Sequence, residues 1–150
     1  MLTLLSHLTG PTAMALLAIA IAAVCILRTR QLWWVAAPVA VLIANLLSHV
    51  LKAVIGRERP PVAGRLIEET NFAFPSGHAT GAAALAMMLT LWWWPRHRFA
   101  TALVWLGVLV ICWTRLYLGV HWVTDLLGGV ILGSAVSLAT WRLFRPRITP

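Results

Sequence analysis

The chain has 150 residues, the size of one domain, and 61% of them are hydrophobic while only 11% are charged. Together with a mean hydropathy of +0.86, this composition excludes an ordinary soluble domain and indicates a protein of the lipid bilayer. The formal net charge of +8 would suit a nucleic-acid partner. The positive charges lie mainly at the ends of apolar segments, however, so we expect no binding to nucleic acid.

Five apolar stretches approach or exceed the roughly 20 residues that a membrane-spanning helix needs. They cover residues 11–27, 33–55, 76–94, 99–117 and 122–143. The sequence therefore predicts an all-α fold, a polytopic transmembrane helix bundle with about five spans that forms a single domain over residues 1–150. Residues 1–9 are too short to cross and are expected to lie along the interface.

The basic residues between these segments predict the orientation of the bundle. If the spans alternate in direction, one side carries seven arginines and no acid: Arg28, Arg30, Arg96, Arg98, Arg142, Arg145 and Arg147. The positive-inside rule makes that side cytoplasmic. We therefore expect a multi-pass protein of the inner (plasma) membrane, with loop 57–75 and segment 115–125 on the extracytoplasmic side. Tryptophans 33, 34, 92, 93, 94 and 141 fall near the inner boundary, as in an aromatic belt.

The first polar group on the outer side is "KAVIGRERP", residues 52–60. Gly56 predicts a helix stop, and Arg59 before Pro60 is biased toward an extended conformation. Lys52 and Arg59 can therefore converge from a helix end and the following loop. For Arg57 and Arg65 we expect only snorkelling, in which the charge reaches the headgroup region.

The second polar group is "PSGH", residues 75–78, which opens the third span. Ser76 suits an N-cap, and Gly77 lets the backbone come close to a ligand. A helix N-terminus with free N–H groups is a ready anion site, and His78 in the first turn would point at the anion. The alternative is an ordinary capped span with an incidental interfacial histidine.

The third polar group is residues 114–125, where Arg115 ends the fourth span. His121 and Asp125 are four residues apart, a spacing that places both side chains on one helical face. Asp125 can then hold one imidazole nitrogen and leave the other free as a nucleophile or base. The alternative is a structural His–Asp pair.

Taken together, the three groups place two imidazoles, one carboxylate and three cations on one membrane face. Such a set predicts a phosphate pocket with a nucleophile and a general acid. We expect no metal, because the cations repel a divalent ion and the sequence contains no HExxH or paired-carboxylate cluster.

These residues resemble the type 2 phosphatidic acid phosphatases (lipid phosphate phosphatases). The family pattern is a Lys, six residues and Arg-Pro; a Pro-Ser-Gly-His; and Ser-Arg, five residues, His, three residues and Asp. All three blocks occur here in that order and spacing within residues 52–125. The sequence departs from the family in two ways: Thr114 stands in place of Ser, and we count five spans where family members commonly have six.

The resemblance implies an extracytoplasmic active site that needs no metal or other cofactor. His121 would attack phosphorus to form a phosphohistidine, oriented by Asp125, and His78 would protonate the leaving oxygen. The phosphoryl oxygens would be held by Lys52, Arg59, Ser76, Gly77 and Arg115.

The implied partners are membrane lipids and a lipid phosphate or diphosphate substrate in the outer leaflet. We place an isoprenoid diphosphate of the undecaprenyl type first, because a small chain with little outer loop suits bare phosphates. Phosphatidylglycerophosphate and phosphatidic acid are the alternatives. A haloperoxidase-like use of the pocket with vanadate and a non-catalytic phospholipid-binding or transport protein are different classes of function.

Smaller features receive structural interpretations. Gly129 and Gly133 form a GxxxG pattern typical of close helix packing. A homo-oligomer that forms through packing of the spans is an open alternative. Glu68 and Glu69 are expected on a solvated loop face, and a role at the substrate headgroup is the alternative. The remaining histidines, which are expected to be structural or interfacial, are His7, His49 and His97.

Overall fold

The computed structural model describes residues 9–67, 69–94 and 96–144, and within these ranges it contains helices and no strands. The five α-helices are α1 (Pro11–Thr29), α2 (Ala36–Ile55), α3 (Gly77–Trp93), α4 (Arg98–Tyr117) and α5 (Val123–Phe144). Short 3₁₀ turns cover Leu32–Val35, directly before α2, and Val62–Gly64. The predicted all-α helix bundle is confirmed. Residues 1–8, most of the segment expected along the interface, lie outside the described residues.

Within the described ranges, four helical segments are long and apolar enough to cross a membrane. They are Pro11–Thr29, Leu32–Ile55, Arg98–Tyr117 and Val123–Phe144. The fifth helix, α3, has 17 residues and is shorter than these four. The predicted segment 76–94 does form a helix. This helix, α3, lies at the centre of the bundle, in contact with α1, α2, α4 and α5.

The ends of α2 and α3 follow from local sequence. Gly56 ends α2 with a φ of 60°, and its N–H donates to the Lys52 carbonyl at 3.0 Å. Because an L side chain is strained at positive φ, a glycine is favoured there, and the predicted helix stop is confirmed. The chain then returns through loop 57–75 and enters α3 after Ser76.

Small side chains make α3 the centre of the bundle. Its buried residues include Ala79, Ala82, Ala83, Ala84 and Ala86. Because these side chains are short, neighbouring helices approach the α3 backbone closely. By contrast, leucines of α1 and α4 such as Leu17, Leu106 and Leu109 are exposed, as expected of surfaces that face lipid.

The closest approach is between α3 and α5. A Cβ atom on Gly129 would lie 2.7 Å from the Ser76 carbonyl oxygen, and one on Gly133 would overlap the Thr80 carbonyl. One turn further along α5, the Ser137 hydroxyl donates to the Ala84 carbonyl at 2.8 Å. The predicted packing of the GxxxG pattern against a neighbouring helix is confirmed, and it fixes the register of α5 on α3.

The two ends of the bundle differ in chemistry. At one end, indole rings meet: Trp33 stacks on Trp34 with centroids 4.4 Å apart, and Trp34 meets Trp92 edge-on at 4.2 Å. Trp141 approaches Trp33 at 5.9 Å. The opposite end contains the end of α2, the start of α3, the end of α4 and the start of α5, and thus all three polar groups.

Candidate active site

A cavity of about 260 Å³ opens at the polar end of the bundle. Five of the eight predicted site residues line it: Lys52, Arg59, Gly77, His78 and His121. The other three, Ser76, Arg115 and Asp125, are buried next to the lining residues. The structure therefore brings both imidazoles and two of the cations to one small space. Their chemical roles stay predictions.

His121 and Asp125 meet as predicted, but through a different local structure. The His121 Nδ1 lies 3.4 Å from Asp125 Oδ2, which also accepts the Trp122 backbone N–H at 2.8 Å. Because α5 begins at Val123, His121 precedes the helix and the two side chains do not share a helical face. The expectation of a common helical face is wrong. Asp125 instead holds the chain that enters the helix, as capping carboxylates do.

The other ring nitrogen of His121 is directed to the cavity side. Arg59 Nη1 lies 3.3 Å from His121 Nε2. Burial lowers the pKa of His121, and the positive charges of Arg59 and Lys52 lower it further, whereas the hydrogen bond that the ring donates to Asp125 raises it. A lowered pKa keeps the imidazole neutral at neutral pH, which is the form that can attack an electrophile.

Lys52 and Arg59 converge as predicted, and both are held by backbone carbonyls. The Lys52 ammonium donates to Phe72 O at 2.5 Å. Arg59 Nε donates to Asn71 O at 2.7 Å, and its Nη1 donates to Val120 O at 2.8 Å. Burial lowers the pKa of Arg59, yet a guanidinium stays protonated at physiological pH. These contacts fix two cations on the cavity wall.

His78 stands on the same wall, held by the third cation. Arg115 Nη1 lies 3.2 Å from His78 Nε2, and Arg115 is 1% exposed. Arg115 comes from the end of α4 and His78 from the first turn of α3. Its position beside His78 confirms that the third polar group meets the second.

Ser76 occupies the predicted N-cap position, but its hydroxyl does not cap the helix. Its backbone makes the contacts instead: the N–H donates to the Asp125 carbonyl at 2.9 Å, and its carbonyl accepts from the Thr80 hydroxyl. Within the described part of the chain, the buried Ser76 Oγ has no hydrogen-bond partner. The proposed role of this hydroxyl in binding phosphate stays a prediction.

Arg57 corrects the sequence interpretation most clearly. Its Nη1 donates to Asp125 Oδ1 at 2.8 Å, and its guanidinium lies 5.8 Å from the centre of the Trp122 ring. Snorkelling is therefore the wrong description of Arg57. No sequence pattern indicated the contact, because it depends on how two loops meet. For Arg65, the structure gives a hydrogen bond from Nε to Pro60 O at 2.7 Å.

Glu69 also differs from expectation, whereas the exposed His49 does not contradict the expected interfacial position. Both line the cavity, and Glu69 Oε2 lies 3.5 Å from Arg59 Nη2. Glu69 is thus not on a solvated loop face. His97 is exposed just before α4. The predictions for Glu68, His7, Arg145 and Arg147 concern positions outside the described residues.

Among residues 9–67, 69–94 and 96–144, no three histidine, cysteine or acidic side chains are grouped so that they could hold a metal ion. The cations that line the cavity favour an anion in any case. The expected absence of a metal stays a prediction.

The sequence is similar to a known protein family and to several of its members. Residues 31–149 match the model of the PAP2 superfamily. The chain is 38% identical over 97 residues to phosphatidylglycerophosphatase B of Bacillus subtilis (strain 168), an alignment that covers 59% of this chain and 47% of that protein. It is 31% identical over 122 residues to the undecaprenyl-diphosphatase of Sulfolobus acidocaldarius, covering 73% of this chain and 54% of that protein.

The fold agrees with these matches. The crystal structure of a transmembrane PAP2 type phosphatidylglycerolphosphate phosphatase from Bacillus subtilis superimposes with a TM-score of 0.80 at 28% identity, covering 99% of this chain and 78% of that chain. The chain spans about half the length of the curated relatives it matches. Since the family model covers most of the sequence and the three polar groups meet in one cavity, the chain belongs to the PAP2 superfamily.

Proposed function

We propose that the chain is a membrane lipid phosphatase that hydrolyses a lipid phosphate or diphosphate through a phosphohistidine. The observation that carries this proposal is the arrangement of His121, whose Nδ1 is paired with Asp125 while its Nε2 faces the cavity beside Arg59. An imidazole held in this way presents one nitrogen lone pair to a bound phosphorus.

In the first step, His121 Nε2 attacks phosphorus, so that an N–P bond forms and the P–O bond to the lipid breaks. The leaving oxygen takes a proton from His78, which lines the same cavity. Asp125 stabilises the positive charge that develops on the His121 ring, because its Oδ2 is next to Nδ1. The dephosphorylated lipid then departs.

In the second step, a water molecule enters the space that the lipid oxygen has left. His78 removes a proton from this water, and its oxygen attacks phosphorus. The N–P bond breaks, inorganic phosphate is released and His121 returns to its neutral form. His78 is therefore an acid in the first step and a base in the second.

The cations supply the electrostatic stabilisation that phosphoryl transfer needs. Lys52 and Arg59 line the cavity, and Arg115 is buried against His78. Fixed positive groups in a site with little water stabilise charge on the phosphoryl oxygens more strongly than they would in solution. The Gly77 backbone at the start of α3 and the Ser76 hydroxyl complete the proposed phosphate-binding set.

The proposed substrate is amphiphilic. A cavity of about 260 Å³ suits a small phosphate-bearing headgroup while the lipid chains stay in the bilayer. We place an isoprenoid diphosphate first, with phosphatidylglycerophosphate and phosphatidic acid as the alternatives. The site lies at the end of the bundle opposite Arg28, Arg98 and Arg142, and the positive-inside rule then directs it to the extracytoplasmic face of the plasma membrane.

The test is release of inorganic phosphate from each of these three lipids by the purified full chain, with a chelator present. We expect turnover of at least one lipid, together with an acid-labile phosphoenzyme. Replacing the nucleophile in His121→Ala should abolish both signals while lipid binding persists.

A chain that binds these lipids but releases no phosphate from any of them would refute the proposal and favour a binding or transport protein. Activity that the chelator abolishes would refute the metal-independent mechanism. The ratio of rates among the three lipids identifies the substrate class.

A further inference from the structure

The Asp125 carboxylate is paired through both of its oxygens. Oδ2 faces the His121 ring and accepts the Trp122 N–H. Oδ1 accepts a hydrogen bond from Arg57 Nη1 at 2.8 Å, in an ion pair. Asp125 is fully buried, with 0% exposure. A carboxylate so far from water stays ionised only when a positive group or hydrogen-bond donors compensate it, and Arg57 is that positive group.

Arg57 itself is held in place by two other segments. Its Nη1 also donates to the Thr124 hydroxyl, and its guanidinium lies over the Trp122 ring. Its own carbonyl accepts the Ala73 N–H at 2.8 Å. The loop after α2, the loop before α3 and the start of α5 therefore meet at this one residue, which limits the positions that its guanidinium can take.

The other cations near His121 have different partners. Lys52 donates to carbonyls of the loop before α3, and the acidic partner of Arg59 is Glu69. Among the described residues that line the cavity, Arg57 does not appear. Its guanidinium thus contacts the carboxylate behind His121. Arg57 lines a neighbouring cleft with Arg59 and Glu69, outside the cavity that holds both imidazoles.

We infer that Arg57 is a positioning residue for the phosphatase reaction: it keeps Asp125 ionised and directed at Nδ1 of His121, and acts on the chemistry only through Asp125. This inference rests on the proposed function. Because Arg57 reaches the nucleophile through a carboxylate and does not reach the substrate, its removal should slow the chemical step without weakening substrate binding.

The experiment compares Arg57→Gln and Arg57→Lys with the wild-type full chain in detergent. We expect Arg57→Gln to lower kcat roughly tenfold or more while KM stays within about twofold, the pattern of an interaction made only in the transition state. Arg57→Lys retains the positive charge and should recover most of the lost kcat. The matched control is Arg65→Gln in the same loop, where the arginine reaches a backbone carbonyl and no carboxylate; its kcat should equal that of the wild type.

A double-mutant cycle separates this role from a merely structural one. In the Asp125→Asn background the carboxylate is absent, so adding Arg57→Gln should change the residual kcat by less than about twofold. If Arg57 only joined the loops, its loss would reduce kcat by the same factor in both backgrounds. Should Arg57→Gln fail to fold, the same cycle with Arg57→Met, which also removes the charge, decides.

The inference is overturned if the two losses multiply, if the effect appears in KM, or if Lys recovers no more activity than Gln. These outcomes leave the proposed function intact, because the wild-type chain still releases phosphate. A wild-type chain without phosphate release would instead refute the proposed function itself.

Discussion

Two regions of the molecule fix their residues by different interactions: the contact between α3 and α5, and the polar end of the bundle. Between the helices, position is set by shape: Gly133 meets the Thr80 carbonyl with no room for a side chain. At the polar end, position is set by charge, as in the pair between Arg57 and Asp125. The two regions meet where the Ser76 N–H donates to the Asp125 carbonyl at 2.9 Å.

This difference indicates that the two regions have separate roles in positioning the site. Helix packing fixes the distance between His78, in the first turn of α3, and His121, just before α5. The charged contacts then fix the orientation of each ring. Changes between the helices should therefore act mainly on stability, and changes at the polar end mainly on rate. Four predictions test this separation.

The largest effect is expected at the polar end. Asp125→Asn keeps the size of the side chain but removes the charge that orients His121, and we expect kcat for phosphate release to fall about 10²- to 10⁴-fold. The variant should still elute from size exclusion as the wild type does. A rate within threefold of the wild type would show that the carboxylate does not orient the nucleophile.

The next effect is expected between the helices. A methyl group on Gly133 would overlap backbone of α3, so Gly133→Ala should lower the free energy of unfolding by about 1–3 kcal/mol. The matched control is Gly107→Ala on α4, where a Cβ would meet nothing within 4 Å. That variant should be neutral or gain up to about 1 kcal/mol in helix propensity. Thermal unfolding in detergent measures both, and equal melting temperatures would contradict the close contact.

A smaller effect concerns the protonation of His121. Because burial and the charges of Arg59 and Lys52 lower its pKa, the ring should stay neutral to a lower pH than an ordinary histidine. We expect its titration midpoint below about 6.5, with the nucleophile lost as the pH falls through that midpoint. NMR titration of ¹⁵N-labelled histidine rings measures this, and His121→Ala identifies the resonance. A midpoint above 6.5 would contradict the prediction.

The smallest effect is expected at the far end of the α3–α5 contact. Ser137→Ala removes the hydrogen bond to the Ala84 carbonyl without adding volume. Polar contacts between membrane helices average well under about 1 kcal/mol, so the melting temperature should fall less than in Gly133→Ala. Phosphate release should match the wild type. A drop larger than that of Gly133→Ala would show that the hydrogen bond, rather than close packing, holds the two helices together.

Much of the fold could be predicted because long apolar stretches leave few alternatives. Gly56 indicated the end of α2, and the GxxxG pattern indicated close packing against a neighbouring helix, which the structure identifies as α3. Alternation of the spans placed His78 and His121 at the same end of the bundle, where they share a cavity. These features depend on local sequence and on the thickness of the bilayer, and neither requires knowledge of how distant loops meet.

The path of loop 57–75 could not be predicted in this way. It has no hydrophobic periodicity, so its polar residues other than Arg59 carried no signal about their partners. Arg57 and Glu69 looked like solvated charges, yet one holds Asp125 and the other lines the cavity beside Arg59. The pairing of His121 with Asp125 was predicted correctly from their spacing. The reason given for it, a common helical face, does not apply, because α5 begins only at Val123.

The short length of α3 bears on how deep the proposed active site lies in the membrane. Its 17 residues extend only about 26 Å, whereas the hydrocarbon core of a bilayer is about 30 Å thick. If Trp92 lies at the inner boundary, as the aromatic belt predicts, Gly77 at the start of α3 and His78 after it lie below the level of the opposite headgroups. Under the proposed function, a lipid headgroup would therefore descend into the protein to reach His78, and water would follow the same route.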